Sequence, residues 1–479
     1  MKKWVLLILT SSSLFAQASE DSSRHVLTLE SFLSLVLANH PLIKQAELQT
    51  GYADAELMVA KGAFDPSVSS SLDTKQFMQK EYYNLLNGTL KVPLWFPLDP
   101  KLSIDQNRGL YLDPHAVIPE TNDFRQLNAG LSLPLGRGLL IDERRSAVMQ
   151  AKTYREMAEA ERIKLVNKTL LTAIKDYWEW YRAYQEYKLI EQSIQFANEL
   201  FRRILIDYET GEASVIDTIQ AKITLQTRMA SFEKANYEFI NSGLILSTHL
   251  WTSELAPLEL SPQAIPDPEI ALQPNTPYPL HDLLAFAEEN HPEIQKLNGK
   301  KEQLAIERKW NLETLKPRLD LSYTLIDAPL NPSGDFVPIT FTDNYKLGVD
   351  FYVPLFLRKE RGKLEKTNLK LMETDYSLDQ RKRELAATIQ SRHAEIKMAE
   401  TLTRQYKEMA ENYHQLLQAE FLNVDLGESD LFKLTIQQDK YIEAQIKYIQ
   451  NLVKFQKSKI EILHDTGYPL LALAPVTRP

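Results

Sequence analysis

The chain contains no cysteine among its 479 residues. This absence excludes disulfide bonds, thiolate metal sites and a lipidated N-terminal cysteine. Long apolar runs are also missing, because no stretch after the first 18 residues contains 18 consecutive apolar residues, so we expect no membrane-spanning helix. If the protein enters a membrane, it must do so as β-strands, since only helices and closed barrels satisfy their backbone hydrogen bonds in lipid.

Glycine and proline are absent from the whole stretch between Gly138 and Gly211. The stretch opens with Asp142 and Glu143, which favour a helix N-terminus, and it stops at a glycine. It predicts one helix over 142–210, about 100 Å long at 1.5 Å per residue. Apolar residues in its second half recur every 3.5 residues or so, a coiled-coil period. The apolar stripe is wide, which indicates a helix in a wall with neighbours on both sides.

Acidic residues outnumber basic ones, 64 to 55. The formal net charge is −9, which gives no reason to expect nucleic acid as a partner. Residues 1–18 are typical of a secretory signal peptide, with Lys2 and Lys3, a short apolar stretch and a small-residue cleavage site at Ala16-Gln17-Ala18. Removal of the two lysines takes the formal charge to −11.

An internal repeat divides the chain into two halves. Asn39-His40-Pro41 and Asn290-His291-Pro292 each interrupt an amphipathic helix, and the offset of 251 residues holds without a gap to Pro66 and Pro317. An ungapped match over about 35 residues indicates a duplicated structural unit. Each half predicts the same order of elements, namely helix, strand, strand, very long helix, sharp turn and helix.

The boundaries of the two repeats follow from this order. The first repeat is predicted over 19–251, with strands within 66–135, the long helix at 142–210, the turn at Gly211 and a return helix at 214–251. The second is predicted over 280–466, with strands within 317–355, the long helix at 358–426, the turn at Gly427 and a return helix at 429–464. A proline-rich linker at 252–279 joins them. We expect the C-terminal tail, 467–479, to be loose.

The predicted strands alternate apolar and polar residues, as in Leu319–Leu325 and Tyr345–Val353. Each is followed by a long helix rather than by a soluble sheet domain, so a barrel with lipid outside and water inside fits better than a sheet on a core. The halves differ in residues 74–126, which contain extra alternation around Leu90 and Leu102. This insertion adds a hairpin to the barrel, which we favour, or forms a lid or plug.

At this point the mature chain resembles the TolC family of outer-membrane efflux proteins along essentially all of its length. The resemblance rests on the tandem halves that open around Asn-His-Pro, and on the strand ends Leu131-Ser132-Leu133-Pro134-Leu135 and Val353-Pro354-Leu355. Its most specific parts are the two helix turns, Tyr208-Glu209-Thr210-Gly211-Glu212-Ala213-Ser214-Val215-Ile216-Asp217 and Leu426-Gly427-Glu428-Ser429-Asp430-Leu431.

The resemblance implies a mainly α fold with a transmembrane β-barrel. Three protomers would form a homotrimer in which an α-barrel tunnel crosses the periplasm and four strands from each protomer build one shared β-barrel in outer-membrane lipid. The helix turns would form the inner tip, where a periplasmic adaptor (membrane fusion) protein docks and an inner-membrane transporter supplies cargo and energy. The residues implied in docking and gating are Gly211, Glu212, Ser214, Asp217, Gly427, Glu428, Ser429, Asp430 and Lys433.

One departure from the family concerns the charge of this tip. Six residues after the turn glycine the family often has aspartate in both halves, where it contributes to a cation-sensitive constriction. Asp217 keeps this pattern, whereas Lys433 replaces the acid in the second half. Asp425, Glu428 and Asp430 lie nearby in sequence and are candidates to substitute for it.

Other chemistry is not indicated. His40 and His291 lack a ligand spacing, so we interpret them as helix kinks with satisfied imidazoles, and the aromatic run 177–181 as packing. Because no nucleophile elbow, phosphate loop or metal spacing appears, we expect no enzyme, no metal and no cofactor. The sequence favours the outer-membrane channel of a tripartite efflux or type I secretion system. The alternative is a soluble periplasmic coiled-coil scaffold or adaptor.

Overall fold

The computed structural model of the chain describes residues 25–112, 124–268, 270, 279–326, 344–426 and 428–473. In chain order the elements are β1 (Val26–Leu27), α1 (Leu29–Asn39), α2 (Pro41–Gly62), β2 (Ser67–Phe77), β3 (Lys80–Lys91), β4 (Asp99–Arg108), β5 (Phe124–Pro134), α3 (Glu143–Thr210), α4 (Val215–Ser247), β6 (Ile265–Pro266), α5 (Leu280–Asn290), α6 (Pro292–Glu313), β7 (Arg318–Ile326), β8 (Tyr345–Tyr352), α7 (Arg358–Asp425) and α8 (Leu431–Asp465), followed by a 3-10 helix, Leu470–Leu473.

Two very long helices, α3 and α7, contain 68 residues each. Each is therefore about 100 Å long. Helix α3 begins where the Asp142 carboxylate accepts the Arg145 N–H at 2.8 Å, and it ends at Gly211 in the left-handed region at φ 83°. An acidic N-cap and a glycine stop are the signals that the sequence carries, and nothing between them interrupts the helix.

The shorter helices pack along the two long ones. Helices α2 and α6, of 22 residues each, lie beside α3 near the sheet, and α6 also contacts α7. Helix α4 returns along α3 from the opposite end, and α8 returns along α7 and also contacts α3. A long helix with neighbours on several sides explains why the apolar stripe of α3 is wide.

At one end of the helices lies a single six-stranded antiparallel sheet in the order β2-β3-β4-β5-β7-β8. The insertion 74–126 therefore contributes a hairpin, β3–β4, that lies between β2 and β5. These two strands of the first repeat are the ones with counterparts, β7 and β8, in the second repeat. The family resemblance implies four strands per protomer, which is wrong for this chain, because six strands form this sheet among the described residues. Residues 113–123 and 327–343 lie outside the described residues.

The sheet has one apolar and one polar face. In a ladder, paired residues point to the same side, and the side alternates along each strand. The pairs Val68–Leu90, Leu90–Leu102 and Tyr323–Leu347 place apolar side chains on one face. The pairs Ser69–Thr89, Asn87–Asp105 and Thr324–Lys346 place polar side chains on the other.

The main core lies midway along α3, where the aromatic run fills a seam between helices. Tyr177 and Trp180 are 0 % and 1 % exposed, and their rings lie 5.8 Å apart. The Tyr177 hydroxyl donates to the Leu27 carbonyl at 2.7 Å and thereby ties α3 to the N-terminal strand β1. These contacts support the packing interpretation of the run over a ligand box.

Parts of the linker and parts of the tail are more ordered than the sequence suggests. Within the linker, β6 pairs in parallel with β1, joining Ile265 to Val26. The expectation of a loose tail is wrong for 467–473, because the buried amide of Asn167 binds it twice. The Asn167 amide N–H donates to the Tyr468 carbonyl at 2.9 Å, and its oxygen accepts the Leu470 N–H at 3.0 Å. Residues 269, 271–278 and 474–479 are outside the described part.

Across the described ranges, no helix is both long and apolar enough to cross a membrane.

Candidate functional site

The first helix turn joins α3 to α4 at the end of the molecule that is remote from the sheet. Gly211 takes the left-handed conformation, and the N–H groups of Glu212 and Ala213 both donate to the Asp207 carbonyl, at 2.7 and 3.1 Å. A residue with a β-carbon is disfavoured at this φ, although the space around Gly211 is open. The glycine is thus required by the backbone and not by crowding.

A reciprocal capping box begins α4. The Ser214 backbone N–H and hydroxyl donate to the Asp217 carboxylate at 2.8 and 2.7 Å, and the Asp217 N–H donates to the Ser214 hydroxyl at 3.3 Å. The hydrogen bonds from the Ser214 side chain and backbone lower the pKa of the Asp217 carboxyl below its ordinary value. In the protomer, Asp217 is therefore an ionised cap of its own helix.

The second helix turn joins α7 to α8. Gly427 and the side chain of Asp425 lie outside the described residues. On either side of the glycine, the Glu428 N–H donates to the Asn423 carbonyl at 2.8 Å and the Ser429 hydroxyl donates to Glu420. Asp430 caps α8 by accepting the Lys433 N–H at 2.8 Å.

The two turns differ at one equivalent position. Asp217 and Lys433 are both the third residue of their return helix, as the caps Ser214 and Asp430 show. An acid there completes a capping box and favours the helix dipole, whereas a lysine does neither. The second turn therefore has a single cap and a lysine side chain where the first has a reciprocal capping box.

Behind the turns, a small apolar cluster joins the two helical hairpins. Leu200 and Ile204 of α3 pack with Leu417 of α7 and Leu434 of α8, and the rings of Phe196 and Phe421 meet edge to face at 4.9 Å. This cluster holds the turns side by side.

A charged contact between α4 and α8 lies farther from the turns. The Arg228 guanidinium donates to the Asp439 carboxylate. Arg228 is 8 % exposed, and its Nε has no hydrogen-bond partner among the described residues. The sequence does not reveal this pair, because 211 positions separate its members and neither belongs to a motif.

Large apolar side chains surround both turns and face solvent. Ile216 is 71 % exposed and Leu426 is 73 % exposed. Others at the same end are Ile206, Tyr208, Val215, Ile219, Leu422 and Phe432. A concentration of exposed apolar side chains at one end of a chain is typical of a surface that another chain covers.

The two Asn-His-Pro corners are helix breaks of the same geometry. At His40 the backbone has φ −65° and ψ 128°, and at His291 it has φ −64° and ψ 126°. Each imidazole Nδ1 accepts a backbone N–H two residues ahead, from Leu42 at 3.1 Å and from Glu293 at 3.2 Å. The kink interpretation is therefore supported, with the histidine serving as N-cap before a proline.

Protonation of His291 would destroy its cap. Burial lowers the pKa of its imidazole to about 4, and the nearby Glu293 only partly offsets this effect. Between the ordinary value of 6.5 and about 4, the unfolded chain binds a proton at this residue that the folded chain does not. Stability is therefore fully present above pH 6.5 and decreases as the pH falls toward 4.

We expect His291→Asn to reduce this pH dependence, because asparagine also caps helices but does not titrate. The measurement is the midpoint of heat unfolding by circular dichroism between pH 7 and 4, where one group contributes at most about 1.4 kcal/mol per pH unit. His281→Asn serves as the control, since that side chain is 92 % exposed. Identical pH slopes in the wild type and His291→Asn would contradict the assignment.

No cluster of three or more histidine or acidic side chains in the described ranges is arranged to hold a metal ion.

Two long helical hairpins and a two-faced antiparallel sheet at one end therefore define the fold. Several solved structures of outer-membrane proteins have this fold. The chain superposes on the CmeC outer membrane channel of Campylobacter jejuni with a TM-score of 0.61 and 14 % sequence identity, over 91 % of this chain and 85 % of that one. For the outer membrane protein VceC from Vibrio cholerae the TM-score is 0.62 and the sequence identity 14 %, over 91 % of this chain and 95 % of VceC. For the open state of the MtrE outer membrane channel of Neisseria gonorrhoeae the TM-score is 0.62 and the sequence identity 12 %, over 92 % of this chain and 89 % of MtrE.

No protein-family model and no curated protein matches the sequence. The structural comparisons nevertheless show that the chain has the fold of these outer-membrane proteins, and they confirm the resemblance to the TolC family at the level of the fold. CmeC and MtrE are outer-membrane channels.

Proposed function

We propose that the chain is the subunit of a homotrimeric outer-membrane channel. It serves as the passive exit duct of a tripartite efflux or type I secretion system. Cargo reaches it from an inner-membrane transporter through a periplasmic adaptor protein, and the chain itself catalyses nothing. One observation carries the proposal, namely that a sheet with one apolar and one polar face stands at the end of two helices about 100 Å long.

The apolar face of the sheet favours a lipid environment. On β8, Leu347, Val349 and Phe351 are 56 %, 61 % and 66 % exposed, and on β2, Val68 is 81 % exposed. No helix in the described ranges covers this face. The strands contain 8 to 12 residues. A tilted strand crosses the hydrocarbon of a bilayer in about 9–11 residues. A soluble scaffold would leave this surface in water, which favours the channel over the alternative function.

The polar face then borders water, and the sheet must be completed by other subunits. Six strands are too few to enclose an aqueous lumen, so a channel needs several protomers around one axis. The helices would continue the duct across an aqueous compartment.

Fractionation of the native envelope tests the proposal. We expect the protein in the outer-membrane fraction, released only by detergent, as a species that migrates at trimer mass unheated and at monomer mass after boiling. Release by salt as a monomer would contradict a membrane channel and would favour the soluble scaffold or adaptor.

The two helix turns are proposed as the adaptor-docking and gating surface. The residues are Gly211, Glu212, Ser214, Asp217, Gly427, Glu428, Ser429, Asp430 and Lys433. The exposed apolar side chains at both turns support docking, and the capping contacts give each turn a defined shape. Opening would separate the turns of neighbouring protomers.

The charge at this tip should set ion selectivity in the closed state. In a trimer, three copies of Asp217 alternate with three of Lys433, so their charges offset each other. Lys433→Asp removes three cations, adds three anions and can complete the missing capping box. We expect reversal potentials in planar bilayers under a salt gradient to shift toward cation selectivity.

Two further variants separate charge from capping at the first turn. Asp217→Asn removes the charge and retains an oxygen that accepts the Ser214 N–H, whereas Asp217→Ala removes both. A selectivity shift toward anions that is equal in the two variants would assign the effect to charge. Unchanged conductance and selectivity in all three variants would remove Asp217 and Lys433 from the gate.

A further inference from the structure

The hairpin β3–β4 is an integral part of the sheet wall. It pairs with β2 on one side, from Ser67–Lys91 to Phe77–Lys80, and with β5 on the other, from Asp99–Ser132 to Asn107–Phe124. A lid or plug would leave β2 and β5 to pair with each other, which they do not do.

The faces of the hairpin continue those of the sheet. Leu86, Leu90, Leu102 and Ile104 fall on the apolar face, in register with the apolar residues of β2 and β5. On the polar face, the Asp105 carboxylate accepts amide N–H groups from Asn87 and, at 2.5 Å, from Asn128. This contact links β3, β4 and β5 on the side that borders the lumen.

The turn between β3 and β4 is fastened to the helices. The Trp95 ring lies 5.4 Å from that of Phe64, which follows α2. At the start of β4, the Asp99 carboxylate accepts from the Arg144 guanidinium at 3.1 Å, and this guanidinium lies 5.3 Å from the Phe64 ring. The hairpin is thus held at the junction of sheet and helices, where it cannot swing into the lumen.

Within the part of the chain that the structure describes, the sheet ends in two strands that pair on one side only, β2 and β8. They run in opposite directions at the two sides of one antiparallel sheet, so β8 of one copy can continue the ladder with β2 of the next. Aligning their helix-side ends places Ser67 opposite Tyr352. This register also opposes Val68 to Phe351 and Leu72 to Leu347 on the apolar face, and Asp73 to Lys346 on the polar face.

We infer that three copies of this chain close an eighteen-stranded barrel, six strands from each, through β2–β8 edges in the register Ser67–Tyr352. The inference rests on the proposed function, and it replaces the twelve strands that four per protomer would give. Because barrel diameter grows about linearly with strand number, this exit is roughly one and a half times as wide. Barrels of about 16–18 strands enclose an aqueous channel, so this exit is open to water and solutes.

Cysteine labelling tests whether the hairpin lies in the wall, and the natural chain supplies a cysteine-free background. Lys101→Cys and Leu102→Cys are adjacent positions on opposite faces of β4, and both side chains are exposed in the protomer. In reconstituted trimers we expect a charged, water-soluble maleimide to label position 101 and a membrane-soluble maleimide to label position 102. Lys346→Cys and Leu347→Cys on β8 form the matched control outside the hairpin.

The control distinguishes the two ways to fail. If the charged reagent labels 101 and 102 alike but only 346 of the β8 pair, the hairpin lies in the lumen and the eighteen-stranded barrel is overturned while the channel stands. If it labels all four positions, the sheet is not in lipid and the proposed function itself fails. The expected alternation at both pairs supports the inference.

Disulfide formation tests the edges and their register. Ser69→Cys with Asp350→Cys, and Ser70→Cys with Val349→Cys, are successive opposed pairs, so one of them has the closer spacing of a non-hydrogen-bonded pair. Oxidation should give covalent dimers and trimers on denaturing gels. Within one chain the two edges lie five strand spacings apart, roughly 24 Å along the sheet.

Lys75→Cys with Asp350→Cys is the control, because it is displaced by six residues along β2. Cross-linking of the control in preference to both test pairs would overturn the register. Oxidation that yields only monomers from every pair would overturn the edge pairing.

Discussion

Trp180→Ala should lower the thermal stability of the assembled protein more than any surface substitution. Trp180 is 1 % exposed in the central core, 5.8 Å from the Tyr177 ring and stacked at 6.4 Å on Phe239 of α4. Truncation removes the indole and leaves a cavity between α3 and α4. Substitutions of this kind cost about 3–5 kcal/mol.

The measurement is the temperature at which detergent-solubilised trimer converts to monomer, at one fixed heating rate since such transitions are often irreversible. Trp95→Ala removes the same atoms from a side chain that is 47 % exposed, and it should lower this temperature much less. Trp180→Phe should give an intermediate value, because it retains part of the ring packing. Equal losses at positions 95 and 180 would show that the central core does not limit stability.

The second large effect is the loss of stability when the ion pair between α4 and α8 is broken. Its size should depend on which of the two partners is replaced. Arg228 is buried, whereas the Asp439 side chain is 55 % exposed. Asp439→Ala leaves a buried guanidinium without its carboxylate, which costs about 1–3 kcal/mol. Arg228→Met leaves an exposed carboxylate that water can solvate, and it fills the same space with an apolar chain, so it should cost little or nothing.

The asymmetry should also be visible in conductance. Because Asp439→Ala leaves the buried Arg228 guanidinium unpaired between α4 and α8, we expect it to loosen this helix contact and to raise the leak of the closed channel in planar bilayers. Arg228→Met should keep the leak close to that of the wild type. If Arg228→Met leaks as much as Asp439→Ala, then loss of the ion pair itself raises the leak. The buried, unpaired guanidinium is then not the cause.

The sequence is sufficient for features that depend on local chemistry. Asp142 and Gly211 mark the ends of α3 within a residue, because capping and left-handed backbone are decided by single side chains. The alternation around Leu90 and Leu102 indicated that the insertion contains strands. It did not decide between a wall and a lid, since that depends on which strand each one pairs with.

Features that depend on distant contacts were not predictable. The pairing of β1 with β6, the binding of the tail by Asn167 and the Arg228–Asp439 pair each join positions more than 200 residues apart. At the helix turns, the sequence identified Asp217 and Lys433 as different. The role of Asp217 as a cap is local, in contrast to these contacts, because the spacing Ser214-x-x-Asp217 is the signature of a capping box and was therefore predictable.

The equal lengths of α3 and α7 restrict how this chain can change in evolution. An insertion in only one of them would move one turn away from its partner and separate Phe196 from Phe421. Lineages with a wider or narrower envelope can therefore adjust the duct only by paired insertions or deletions. In each hairpin, the ascending and the returning helix must also change together. Steps of about 7 or 11 residues keep the helical phase, so span should vary in discrete increments of roughly 10 or 16 Å.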